Sequence, residues 1–86
     1  MNHNPTAAPD TSTILGIRNR AAELGCVCMD TRPVMLRDPG HVVLCKRPSD
    51  ATWITWRTYD RGSPGFFHGH YDMDEADARA DFRVRP

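Results

Sequence analysis

Two runs rich in β-branched and aromatic residues, separated by a short loop, constrain this chain more than any other feature. Thr52 to Tyr59 holds three Thr, two Trp, an Ile and a Tyr; Asp60-Arg61-Gly62-Ser63-Pro64-Gly65 follows, and Phe66 to Tyr71 resumes the aromatic pattern. Such side chains suit a pleated, half-buried surface, and a loop with two glycines and a proline reverses the chain, so the runs predict an antiparallel pair of strands. Setting Tyr59 opposite Phe66 puts Arg57 opposite His68 and Thr55 opposite His70 on one face, with Trp56 opposite Gly69 and Ile54 opposite Tyr71 on the other. The Trp56 indole is then expected to cover the gap left by Gly69.

A second reversal lies upstream. Val34-Met35-Leu36 and His41 to Lys46 flank Arg37-Asp38-Pro39-Gly40, the turn chemistry of a β-hairpin. Cys26 to Met29 reads as a short strand or an extended lead-in, interrupted by Asp30 to Pro33; Arg47-Pro48-Ser49-Asp50 is the next loop. Helical spacing appears at both ends. Ile14, Ile17, Ala21 and Leu24 share one face of a helix over about 12–24, which Gly25 closes in a left-handed conformation. Toward the C-terminus Asp72, with Glu75 three residues on, predicts a capping box, and Met73, Ala76, Ala80 and Val84 form the apolar side of a last helix. Asp74, Glu75 and Asp77 lead and Arg79, Arg83 and Arg85 trail, the charge order that complements a helix dipole.

The expected fold is therefore α+β: an N-terminal helix, a three- to four-stranded antiparallel sheet and a C-terminal helix, with both helices on one sheet face. With 86 residues the chain forms one domain, assigned to 11–86, after a leader over 1–10 that combines Asn2, His3, Asn4, Pro5 and Pro9 with few large apolar groups. That leader has neither the basic nor the apolar segment of a signal peptide, and a mean hydropathy of −0.56 argues against a membrane partner. Eleven basic residues balance eleven acidic ones, so no net field draws the chain to a polyanion. Ten of the eleven basic residues are arginine, a bias that points to a GC-rich bacterial source or its mobile DNA. The expected compartment is cytoplasmic, where Cys26, Cys28 and Cys45 stay reduced.

Four chemistries compete for the polar residues. Cys26, Cys28, Cys45, His41, His68 and His70 are soft enough for zinc, yet Cys26 and Cys28 stand two apart in an extended segment, without the knuckle that converges two sulfurs; buried thiols and no metal or other cofactor are expected. Nucleophilic catalysis needs a base and an orienting group around Ser or Cys. Gly62-Ser63-Pro64-Gly65 lacks the strand-to-helix setting of a nucleophile elbow, so a non-enzyme is expected. Nucleic acid is a lesser expectation: residues 13–61 carry eight basic and five acidic side chains, but residues 72–86 return five acids against three arginines. A protein-binding surface leads. If both helices cover the Ile54, Trp56, Phe67 and Tyr71 face, then Trp53, Arg57, Tyr59, Phe66, His68 and His70 stand on an open face, and aromatic and arginine side chains dominate interface hot spots. An alternative acidic surface is Asp74, Glu75 and Asp77.

The leading expectation is a small non-enzymatic protein-interaction module that blocks a surface of a larger partner. The alternatives are a nucleic-acid-binding accessory protein using the outer sheet face and a small zinc-binding domain. In general profile rather than in motif, a compact, neutral, Arg-rich chain without catalytic signatures resembles the accessory proteins of phages and plasmids, small inhibitors such as anti-CRISPR proteins among them. That likeness implies a phage- or plasmid-encoded regulator or inhibitor and assigns no residue.

Overall fold

Thr13 opens the first helix from an extended conformation, its hydroxyl accepting the Gly16 N–H at 3.0 Å, and α1 runs over Ile14–Glu23. It closes as expected. Gly25 adopts φ +75°, its N–H donates to the Ala22 carbonyl at 3.0 Å, and the Cys26 N–H donates to the Ala21 carbonyl at 2.9 Å, the paired bonds of a Schellman end. These features come from a computed structural model that describes residues 10–62 and 64–86; apart from Asp10, the expected leader lies outside the described residues, as does Ser63.

Four strands follow, β1 over Val27–Val34, β2 over Gly40–Arg47, β3 over Thr52–Tyr59 and β4 over Phe67–Met73, then α2 over Glu75–Val84. The strands form one antiparallel sheet in the order β1-β2-β3-β4, so the chain is α+β with each strand beside its sequence neighbour. The segment that read as strand or lead-in is the first half of β1. Its register slips between Cys28↔Cys45 and Asp30↔Leu44, a bulge that spares Met29 a partner, and the strand continues through Pro33, which an edge position tolerates. The β2–β3 pairing is unbroken from Gly40↔Tyr59 to Arg47↔Thr52.

The β3–β4 pairing holds at one expected position and shifts at two. Thr55 pairs with His70 as read from the sequence, but Arg57 pairs with Phe67 and Trp53 with Met73. Two residues account for the shifts, His68 at φ +54° and Asp72 at φ +60°, each in the left-handed region where an extra residue enters one side of the ladder. The first shift exchanges the two phenylalanines: Phe66 packs on the Trp56 side and Phe67 on the Tyr59 side. The second keeps β4 extended through Met73, so Asp72 does not cap the last helix. Asp74 does, its carboxylate accepting the Asp77 N–H at 2.8 Å.

The two helices lie on opposite faces of the sheet, which corrects the expectation that both share one. Ile17 and Ala21 of α1 pack with Val43, Cys45, Ile54 and Trp56, whereas Ala78 and Phe82 of α2 pack with Val42, Leu44 and Trp53. The physical reason is in β2. Val42, Val43, Leu44 and Cys45 are each 0 % exposed, so successive side chains pointing to opposite faces are all buried, and both faces need a cover. The buried side of α2 is also not the expected one: Phe82, its largest apolar side chain, takes the core position with Ala78 one turn before it, and Val84 is exposed. At Gly69 the expected cover is present. A Cβ built there would stand 2.6 Å from the Trp56 indole nitrogen and 2.4 Å from the Tyr71 ring, so the two aromatics occupy the space a side chain would need.

Candidate functional site

The six residues expected to share one open face are split among three places. Trp53, at 6 % exposure, lies beneath α2, and Arg57, at 4 %, is buried on the same sheet face against the β1–β2 loop. The Trp53 ring has the Arg79 guanidinium 5.3 Å from its centre on one contact and the Lys46 ammonium 5.9 Å on another, both within cation–π range. Arg57 donates to the backbone carbonyls of Thr58 and Asp38 and stacks its guanidinium 4.6 Å from the Tyr59 ring centre. Phe66 is on the far face, 5.1 Å from the Trp56 ring. Tyr59, His68 and His70 remain at the rim, where Tyr59 touches Phe67 at 5.8 Å and His68 at 6.1 Å between ring centres. The premise of an uncovered aromatic sheet face is thus overturned for Trp53, Arg57 and Phe66, because α2 covers the first, the β1–β2 loop and Tyr59 enclose the second, and a bulge re-aims the third.

What holds α2 in place is a polar seam. Arg85, 8 % exposed, donates to the Thr55 hydroxyl at 2.9 Å and to the His68 carbonyl at 2.8 Å. The Thr55 hydroxyl in turn donates to Asp81, whose Oδ2 also meets His70 Nδ1 at 2.8 Å. Arg32 of β1 reaches across to donate to the Phe82 and Arg85 carbonyls, satisfying acceptors at the helix C-terminus. Burial alone would raise the Asp81 carboxyl; the hydrogen bonds from Thr55 and His70 and the nearby Arg85 charge outweigh it and hold the group below the ordinary carboxylate range. A histidine beside a carboxylate is half of a catalytic triad, but the hydroxyl in this chain of contacts belongs to Thr55, which is 0 % exposed and donates to the carboxylate rather than to the imidazole. The seam is a fastening.

The acidic alternative is spent locally in part. Asp74 is the helix cap, Glu75 pairs with Arg79 at 2.8 Å, and Asp72 pairs with Arg47 at 3.2 Å; Asp77 stays exposed. The cysteines divide into buried Cys26 and Cys45 and half-buried Cys28, all free, and among the described residues no group of three or more His, Cys, Asp or Glu is arranged to hold a metal ion. Among the described residues no helix is long and apolar enough to cross a membrane.

A cleft of about 460 Å³ opens at the end of the molecule where the β1–β2 loop, the end of β3 and the C-terminus meet. Val34, Leu36, Tyr59 and Pro86 give it apolar walls, and Arg37, Asp38 and Arg57 its charges. Leu36 is 83 % exposed and its neighbour Met35 76 %, so the loop tip presents two large apolar side chains to solvent beside a concave, partly cationic surface. Arg37 is held at φ +57°, which turns the chain sharply just after them. Among the described residues that line the cleft, the Tyr59 phenol is the one hydroxyl and there is no thiol. Its chemistry is that of accepting an apolar side chain while offering Arg37 to a carboxylate.

Of the sequence-expected residues, Tyr59 and Arg57 border this cleft, and Met35, Leu36, Arg37 and Pro86 were not singled out. A signal for the loop tip existed. Two consecutive apolar residues at a strand end cannot both face one core, and Met35-Leu36 stands immediately before the Arg-Asp-Pro-Gly turn. Comparisons with protein-family models, with curated proteins and with solved structures each find no match.

Proposed function

We propose that the protein is a small non-enzymatic interaction module that acts by covering a surface of a larger protein, as a regulator or inhibitor would. The observation that carries this reading is the cleft bordered by Tyr59 and Arg57 with Leu36 and Met35 exposed at its lip. Aromatic and arginine side chains concentrate binding energy at protein interfaces, and apolar side chains in water beside them supply the area to be desolvated. The partner surface that fits is an apolar protrusion flanked by carboxylates, which Arg37 can meet bidentately. Tyr59, Phe67 and His68 extend the same rim along the β3–β4 edge. A nucleic-acid partner draws less support, because helices cover both sheet faces that would otherwise stack bases.

Affinity capture from a bacterial lysate, with and without nuclease, tests the reading. A stoichiometric protein that survives nuclease and disappears with Met35→Ser/Leu36→Ser is the expected result, with the thermal melt of that variant within a few degrees of the parent because both side chains are already in water. Recovery of nucleic acid without a stoichiometric protein would overturn it. Arg57 is unsuited to such a test: at 4 % exposure its removal strands two backbone carbonyls and destabilises the fold itself.

A further inference from the structure

Cys28 of β1 and Cys45 of β2 are register partners. Residues directly opposite in an antiparallel pair point to the same face with Cα atoms about 4.5–5.5 Å apart, inside the range a disulfide spans. The two thiols differ in access. Cys45 is 0 % exposed in the core beneath α1, whereas Cys28 is half-buried and lines a small surface cleft with Ile14, Arg18, Met29, Asp30 and Thr31. The bulge at Met29 follows it directly, and β1 is an edge strand with no further strand beside it among the described residues.

We infer that Cys28 is a modification site for hydrogen peroxide and related hydroperoxides, with Cys45 as the thiol that resolves the oxidised sulfur into a β1–β2 disulfide. The electrostatics agree with this division of labour. The hydrogen bond between the two thiols, opposed by burial and by the Asp30 charge and helped by Arg18 and the Asp30 backbone, draws the Cys28 thiol down to about 7; the same bond together with burial pushes Cys45 well up. Both shifts favour ionisation at the half-buried sulfur over the fully buried one.

The chemistry balances without a further reagent. The Cys28 thiolate attacks one peroxide oxygen, the O–O bond breaks, and the departing hydroxide takes a proton to become water, leaving a sulfenic acid. The Cys45 sulfur then attacks the Cys28 sulfur; the S–S bond forms, the S–O bond breaks, and the hydroxyl leaves as water with the Cys45 proton. Two thiols and one peroxide give one disulfide and two waters. Cys26 shares the core cluster of Cys45 but lies opposite no cysteine in the sheet register, its sulfur 3.7 Å from the Leu24 carbonyl, and serves as an internal control.

The test treats the full chain with stoichiometric hydrogen peroxide at pH 7, unfolds it, caps remaining thiols with N-ethylmaleimide and maps the peptides. The expected product carries one maleimide, on Cys26, and a Cys28–Cys45 linked peptide, and Cys45→Ser accumulates a dimedone-reactive sulfenic acid at Cys28. Should Cys45→Ser fail to fold, the parent chain still decides through its alkylation by iodoacetamide at pH 7. Cys28, the half-buried thiol drawn toward ionisation, should react faster than the buried Cys26 and Cys45. A linked peptide containing Cys26, three maleimides after peroxide, or Cys28 reacting no faster than Cys26 would each overturn the inference.

Discussion

The two faces of the sheet are packed by different means. Under α1 the core is Ile17, Ala21, Cys26, Val43, Cys45, Ile54 and Trp56, a cluster with no formal charge, whose Trp56 indole N–H donates to the Tyr71 hydroxyl at 3.0 Å. Under α2, Val42, Leu44, Trp53, Ala78 and Phe82 share the space with Thr55, Arg57 and Arg85, all of them buried. The first face needs only volume and shape; the second needs its donors and acceptors matched, because a buried polar group without a partner costs more than a hydrogen bond returns, and of Arg85 only Nε is left without one. This is why α2 brings its own polar groups, Asp81 and Arg85, into contact with the sheet. Truncation on the α1 side should leave a cavity. Neutralisation on the α2 side should leave stranded partners.

The largest expected effects test whether the faces are equally buried. Trp56→Ala and Trp53→Ala should each remove about 3–5 kcal/mol in a urea titration, since both indoles are core groups. A Trp53→Ala cost near zero would mean that α2 does not cover its face, and the comparison would collapse. Next comes Asp81→Asn, expected to cost about 1.5–3 kcal/mol at pH 7 by weakening the charge-assisted bonds to Thr55 and His70. The sign with pH follows from the lowered Asp81 carboxyl: the unfolded chain takes the proton first, so the contribution is complete above the unfolded value near 4 and is lost as pH falls through the lower folded value. Chemical melts of parent and variant should therefore converge in acid, and a gap unchanged down to pH 2.5 would show that the charge is not what fastens α2. Smallest is Gly25→Ala, about 1 kcal/mol from placing a side chain at φ +75°, in open space, read as a shift of a few degrees in the thermal melt.

Much of this architecture was legible and the arrangement of its layers was not. Thr13, Gly25 and the Arg37–Gly40 turn signal their elements through local chemistry, and local chemistry is what a single sequence displays best. The face assignment failed because polarity was taken for exposure. Thr55 and Arg57 alternate with Ile54 and Trp56 as a half-solvated strand would, yet all four are buried: Thr55 finds its partners in Asp81 and Arg85, more than twenty residues away, and Arg57 in the Asp38 and Thr58 carbonyls. The contrary signal was present in β2, whose unbroken Val-Val-Leu-Cys run calls for cover on both sides. For the candidate site, Tyr59 and Arg57 were found from composition. Leu36 and Pro86 were missed because they meet Tyr59 only where the β1–β2 loop, the end of β3 and the C-terminus converge.

The irregularities in the outer strands carry a consequence for how this protein meets others. A four-stranded open sheet has two rows of backbone groups that another chain can continue, and regular, flat edges invite such growth into aggregates. Here β1 carries a bulge at Met29 and a proline at position 33, and β4 carries left-handed residues at His68 and Asp72. Each interrupts the repeat that an incoming strand would have to match. Growth of the sheet by backbone addition is thereby disfavoured at both edges by these four residues.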